Sequence, residues 1–282
     1  MTLKYRNQLM QKINPLSLSA SLASLIVAAA ILAPVSISHA ATPEELGTQI
    51  AEEWDLRDQG FGNTEASMEM VLVNRHGDES RREIRQKILE IPGNDIGDKS
   101  LTIFDKPRDV KGTAFLSFAK ILDPDDQWLY LPALKRVKRI SSKNKSGPFV
   151  GSEFAFEDLS AAELKKFTYK WIRDEACGDL ECFVVEQYPT YENSGYTKTV
   201  VWYDKAEYRQ QKIEYYDRKN SLLKTLVYSK FVQYLDKYWR ANDMMMVNHQ
   251  TGKKTHLMFS EFKFQTGLSD GDFNKNSLKR AR

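Results

Sequence analysis

Two periods of apolar and polar positions divide the chain. Leu46, Ile50 and Trp54 recur every four residues, which is one apolar stripe on a helix. Thr42-Pro43-Glu44-Glu45 supplies its start: Thr42 caps, Pro43 suits the first turn and Glu45 completes a capping box. Gly60-Phe61-Gly62 ends it. From Ala66 the period falls to two, and Ala66, Met68, Met70 and Leu72 share one face. Strand patterns follow at 82–91, 100–105, 112–122, 126–131, 135–141, 167–175, 181–188, 196–204, 209–217, 222–235, 239–247 and 254–264. Turn residues punctuate them, as in His76-Gly77-Asp78, Pro92-Gly93-Asn94, Asn193-Ser194-Gly195, Lys219-Asn220 and Thr251-Gly252. Such short connections predict antiparallel pairing. Ser160-Ala161-Ala162-Glu163 repeats the capping pattern and predicts a short helix near 161–166. A last one is expected from Asp270, with Phe273 and Leu278 packing inward. The fold class is mainly β with helices, in one domain over 41–282. A sheet with one apolar face must curl or be covered by helices, and one curled sheet with helices on its concave side fits this order.

Residues 1–40 have a different character. Lys4, Arg6 and Lys12 precede the apolar run Leu22–Ala33, Pro34 breaks it, and Ser38-His39-Ala40 places small residues at −3 and −1 of a cleavage site. The pattern predicts a signal peptide removed before Ala41, hence export to the periplasm. An uncleaved anchor is the alternative, but the apolar stretch is short for a span of roughly 20 residues. No Cys follows the site to take a lipid. The chain has 41 Lys+Arg and 38 Asp+Glu, and the three leader cations account for the whole excess. The mature chain therefore gives no global reason to seek a polyanionic partner or nucleic acid.

Export also changes how the two cysteines read. Cys177 and Cys182 flank Gly178-Asp179, a turn signal between two strand patterns, so a disulfide across a hairpin neck is expected over two free thiols. Enzyme motifs fail in turn. The chain has no phosphate loop and no dinucleotide fingerprint. His76, His249 and His256 lack metal-ligand spacing. Neither a catalytic residue, a metal nor a cofactor is expected. The 14 Phe, 13 Tyr and 5 Trp suit pleated strands or an apolar cavity, and composition leaves both readings open.

The densest signal is 123–140, where aspartates precede an aromatic strand and the basic run Lys135-Arg136-Val137-Lys138-Arg139. A hairpin turning at Pro132-Ala133 sets Asp126 opposite Arg139. The strip reads as a structural charge ladder or as a headgroup- or partner-binding strip. Asp125-Asp126-Gln127-Trp128-Leu129-Tyr130-Leu131-Pro132, continuing to Ile140, and then Gly151-Ser152-Glu153-Phe154 to Leu159, resemble the bacterial outer-membrane lipoprotein-sorting protein family, a LolA-like group. Arg57-Asp58-Gln59-Gly60-Phe61-Gly62 resembles its N-terminal signature, and the likeness runs over most of 44–275. The resemblance implies an open antiparallel half-barrel with helices on its concave face. It also implies a periplasmic carrier for lipoproteins or other lipids, serving transfer to or from the outer membrane. Some members of that group work beside transporters of the resistance-nodulation-division type, which implies such a partner; a monomer is expected. A non-carrier envelope module, a stress sensor or transporter accessory, is the competing reading.

A carrier needs an apolar hollow and a movable cover. The candidate lipid contacts are Met68, Met70, Phe115, Phe118, Trp128, Tyr130, Trp202, Met244 and Met246, each of which reads more readily as plain core. Segment 141–159, with Gly147-Pro148, Gly151, Phe149, Phe154 and Phe156, is the candidate lid.

Overall fold

The computed structural model describes residues 40–93, 96–160 and 163–279. Residues 1–39, where a leader is expected, Asn94 of one turn and Ala161-Ala162 of the second capping pattern lie outside the described residues. Residues Ala41–Arg282 form one compact unit.

Helix α1, Pro43–Asp58, begins as its sequence predicts. Thr42 accepts from the Glu45 amide while the Glu45 carboxylate accepts from the Thr42 amide. The Leu46–Ile50–Trp54 stripe packs into the main core.

Thirteen strands follow: β1 (Asn63–Val73), β2 (Glu79–Leu89), β3 (Ile96–Lys106), β4 (Ala114–Lys120), β5 (Asp126–Leu131), β6 (Arg136–Ile140), β7 (Phe167–Cys177), β8 (Leu180–Pro189), β9 (Tyr196–Asp204), β10 (Gln210–Asp217), β11 (Leu222–Tyr234), β12 (Tyr238–Asn248) and β13 (Lys254–Phe264). They make one antiparallel sheet in the order β6-β5-β4-β3-β2-β1-β13-β12-β11-β10-β9-β8-β7. Strands β6 and β7 are its two edges, so the sheet curls without closing. One non-neighbour pairing, β1 with β13, joins the two halves.

The predicted helix near 161–166 is corrected to a single 3-10 turn, Leu164–Lys166. The C-terminal helix α2, Lys275–Leu278, forms, but against the convex side, where Phe273 and Leu278 meet Leu101, Leu116 and Trp128. The hairpin β5–β6 also forms, with a different register. Leu131 pairs with Arg136 and Trp128 with Arg139, because Pro132–Leu134 make a 3-10 turn closed by Lys135 in the left-handed region. Pro-Ala does not favour a two-residue hairpin turn, so the connection takes two more residues. Arg139 still reaches the Asp126 carboxylate, diagonally, and Lys120 approaches the same group at 3.0 Å. The bond between Cys177 and Cys182 closes the β7–β8 hairpin.

Candidate functional site

Alternation along each strand divides the apolar residues into an inner and an outer set. The inner set forms one cluster running from Met68 and Met70 through Ile213, Leu226 and Leu257. Beneath it lies an open hollow of about 1940 Å³, larger than the roughly 300–1,000 Å³ of an ordinary small-molecule pocket. Its walls are apolar in the middle, with Met68, Ile213, Leu226, Met244, Leu257 and Phe259. Helix α1 lies along one side through Trp54.

One end of the hollow is plugged by 141–160. Pro148 and Ala155 bridge, and the Phe149 amide donates to the Phe154 carbonyl at 2.7 Å. The tight turn between them needs Val150 and Gly151 at positive φ, 47° and 79°. Phe149 then stands 5.8 Å from Phe104, 5.2 Å from Phe115 and 5.6 Å from Phe156, ring centre to ring centre. Aromatic contact is not the only restraint. Lys224 on β11 donates to Asp158 at 2.6 Å and to the Glu153 carbonyl at 2.8 Å. Both side chains of that ion pair are only 3% exposed. Tyr196 donates to the other Asp158 oxygen at 2.7 Å, and Asn248 to Glu153 at 2.6 Å. Burial and then the Asp158 charge push the Tyr196 hydroxyl well above its ordinary value, so it remains a donor. The expected lid is thus a plug sewn to the sheet by buried polar contacts, each costly to leave unpaired.

The other end is an acidic mouth. The Glu90 carboxylate accepts from the Gly60 and Gly62 amides at 2.7 and 2.6 Å, tying the end of α1 to the end of β2. Both glycines are at positive φ, 93° and 75°, which suits the Gly-Phe-Gly sequence. Asp58 pairs with Arg240, and Lys237 donates to the Gln59 carbonyl. Asp98 is pushed up to about 6 by burial, with Glu90, Asp58 and Asp55 adding to it. Glu163 is pushed up to about 7 by burial first and by Asp98 second.

Of the candidate contacts, Met68, Met70, Phe149, Phe154 and Met244 line the hollow. Phe115, Phe156 and Met246 belong to the inner cluster but are packed behind that lining. Phe118, Trp128, Tyr130 and Trp202 stand on the outer face instead. Trp128 packs with Phe273 and Leu278, flanked by Phe118 and Tyr130, and Trp202 packs with Cys182, Val184 and Val200. Lysines cover them from outside: Lys275 lies 4.8 Å above Trp128, and Lys212 3.5 Å above Trp202. Sequence reasoning missed Ile213, Leu226, Tyr228, Leu257 and Phe259. The signal was the two-residue spacing of 226 with 228 and of 257 with 259, opposite Met244 in β12 and Met68 in β1.

A family model described only as "Uncharacterized protein"-like matches residues 97–280. A domain from Vibrio parahaemolyticus, provisionally assigned to outer-membrane lipoprotein sorting, is 59% identical. The match covers 84% of this chain and all of that one, with a TM-score of 0.82. A DUF1329 family protein from Desulfovibrio piger is 27% identical over 84% of this chain and all of its own, with a TM-score of 0.79. A LolA superfamily protein from Nitrosomonas europaea shares the fold at 22% identity, over 84% and 99% of the two chains, with a TM-score of 0.65. No curated protein matches the chain.

Proposed function

Because the chain belongs to the LolA-like outer-membrane lipoprotein-sorting family, we propose that it is a periplasmic carrier that shields acyl chains in its hollow. The cargo is a lipoprotein or another lipid in transit to or from the outer membrane. The observation that supports this most is the hollow itself: about 1940 Å³, apolar in its middle, plugged at one end and open at the other. Shielding an acyl chain is worth roughly 0.8 kcal/mol per CH₂, so a chain of about 16 carbons gains on the order of 12 kcal/mol as an upper limit. In this reading residues 1–40 are the exported leader and 41–282 a single carrier domain, acting as a monomer. A transporter of the resistance-nodulation-division type would be its inner-membrane partner. None of these steps asks for a catalytic group.

The test is uptake of a fluorescent fatty acid or lipoprotein analogue by protein purified from the periplasm. Its N-terminus is expected to read Ala41-Thr42-Pro43-Glu44. Uptake should saturate and change little with salt. Met244→Glu and Phe259→Asp each put a charge on the hollow wall and should weaken uptake at least about tenfold, with circular dichroism showing intact folding. Trp128→Ala, on the outer face, should leave uptake unchanged. Failure of the wild type to saturate with any of several lipid classes would rule the carrier out.

A further inference from the structure

Residues 41–282 carry balanced charge, yet the charge is segregated along the strand axis. Six hairpins turn at the plugged end of the sheet; the β8–β9 turn carries no cation and the exposed Glu192, and the other five, β5–β6, β3–β4, β1–β2, β12–β13 and β10–β11, are basic. The turns of these five, 74–78, 107–113, 132–135, 218–221 and 249–253, carry Arg75, Arg108, Lys111, Lys135, Lys219 and Lys253, all exposed. Among the described residues none of these six is ion-paired. Arg218 adds a seventh cation, held by the Ser194 carbonyl at 2.9 Å. The same turns hold only Asp78 and Asp109 against them. Leu134 projects beside Lys135 with 67% of its surface exposed. The opposite end is the acidic mouth of Asp55, Asp58, Glu90, Asp98 and Glu163.

We propose that this rim of turns is a docking surface for an anionic bilayer. Adjacent hairpins lie two strands apart, about 10 Å, so five turns spread their cations over about 40 Å. Cations on separate convex turns do not converge on one small anion; they match a laterally continuous sheet of phosphate headgroups. Leu134 then enters the interface while Lys135 and Arg136 remain at headgroup level. A charged edge strand such as β6 also discourages strand addition by another chain, which disfavours a peptide as the occupant. Since the mouth carries the same sign as the bilayer, the protein lands closed end first, with the hollow facing away. Docking of this kind does not depend on what the hollow carries.

The experiment is flotation of the mature protein with vesicles of phosphatidylcholine alone, or with about 30% phosphatidylglycerol, at low and high salt. Binding is expected only to the anionic vesicles and should vanish at high salt. Lys111→Gln/Lys135→Gln/Lys253→Gln should weaken it at least about tenfold. Lys205→Gln/Lys237→Gln/Lys263→Gln makes the same change in net charge at the mouth end and should leave it intact or strengthen it. Leu134→Asn should weaken vesicle binding severalfold without changing retention on soluble polyphosphate. The proposal fails if the wild type ignores anionic vesicles, if both lysine triples lose binding equally, or if polyphosphate is held while vesicles are not. Acyl-probe uptake by the same proteins reports separately on the carrier.

Discussion

Glu163 stands at the acidic mouth of the hollow, and its carboxyl is held protonated to an unusual pH by burial, with Asp98 and Asp125 opposing ionisation and Lys166 favouring it. The sign of the resulting pH effect follows from linkage. Below about 4.5, the ordinary value, the group is protonated in both folded and unfolded chains and contributes nothing. Above about 7 it is ionised in both, and the folded state bears the full cost of a desolvated charge. Stability therefore falls as pH rises between these limits, and Asp98 adds the same trend between 3.8 and about 6. Asp126 does not offset this: burial raises it, but hydrogen bonds from Lys120 and Arg139 hold it below 3.8. Thermal melts should show a higher Tm at pH 5.5 than at pH 8. Glu163→Gln should flatten that difference and raise Tm at pH 8. Screening at a half-exposed site limits the effect to about 1 kcal/mol, about 3 °C in a domain of this size. A Tm difference that is unchanged in the variant would show that Glu163 is ionised throughout. None of this was legible in the sequence, where Glu163 figured only as the end of a capping pattern. Its environment comes from Gly97 and Asp98, distant in the chain.

At the scale of elements, every strand pattern in the sequence corresponds to a strand in the sheet, because alternation and turn residues are local signals. Which face points inward was legible only where one face is wet. Strand β1 alternates, and Met68 and Met70 were correctly grouped on one face. Strands β4, β5 and β9 are buried on both faces in part, and they hold consecutive apolar residues, Ala114–Leu116, Trp128–Leu131 and Val200–Tyr203, where alternation is lost. The outer covers are the C-terminal segment with Phe273 and Leu278 and, under β8 and β9, the disulfide end of the β7–β8 hairpin. Neither cover is visible from the strands themselves, so the face on which Trp128 and Trp202 stand is not legible in the sequence. The hairpin offers a direct test. Cys182 is fully buried against Val184 and Trp202, so the bond joins an edge strand to the outer core. Thiol labelling of denatured, unreduced protein should find no free thiol. Cys177→Ser/Cys182→Ala should cost only about 2 kcal/mol, since the loop closed is short. A much larger loss would mean that the bond restrains the whole edge of the sheet and not one neck.

For the molecule as a whole, the question is what holds an unclosed sheet of thirteen strands in a curl. Helix α1 is placed to do so. It lies on edge strand β7, and its C-terminal end is tied to distant parts of the sheet: Arg57 to Glu207 at 3.3 Å, Asp58 to Arg240, and the Gly60 and Gly62 amides to Glu90. The closest approach is at Gly47, where a Cβ atom would stand 2.6 Å from the Trp171 amide nitrogen and 2.8 Å from the Lys170 backbone. No flexible side chain is there to yield, only the backbone of β7. The arrangement makes two forces oppose each other in one substitution. Gly47→Ala raises helix propensity, worth up to about 1 kcal/mol in stability. It also wedges the helix off the strand, and overpacking of this kind costs about 1–3 kcal/mol. If α1 braces the curl, the wedge wins: Tm should fall by several degrees, and Trp54, which lines the hollow, should fluoresce at longer wavelength as water enters. If α1 merely rests on the sheet, it shifts without loss, the propensity gain remains, and Tm should rise. The sign of one measured Tm change therefore distinguishes a brace from a cover.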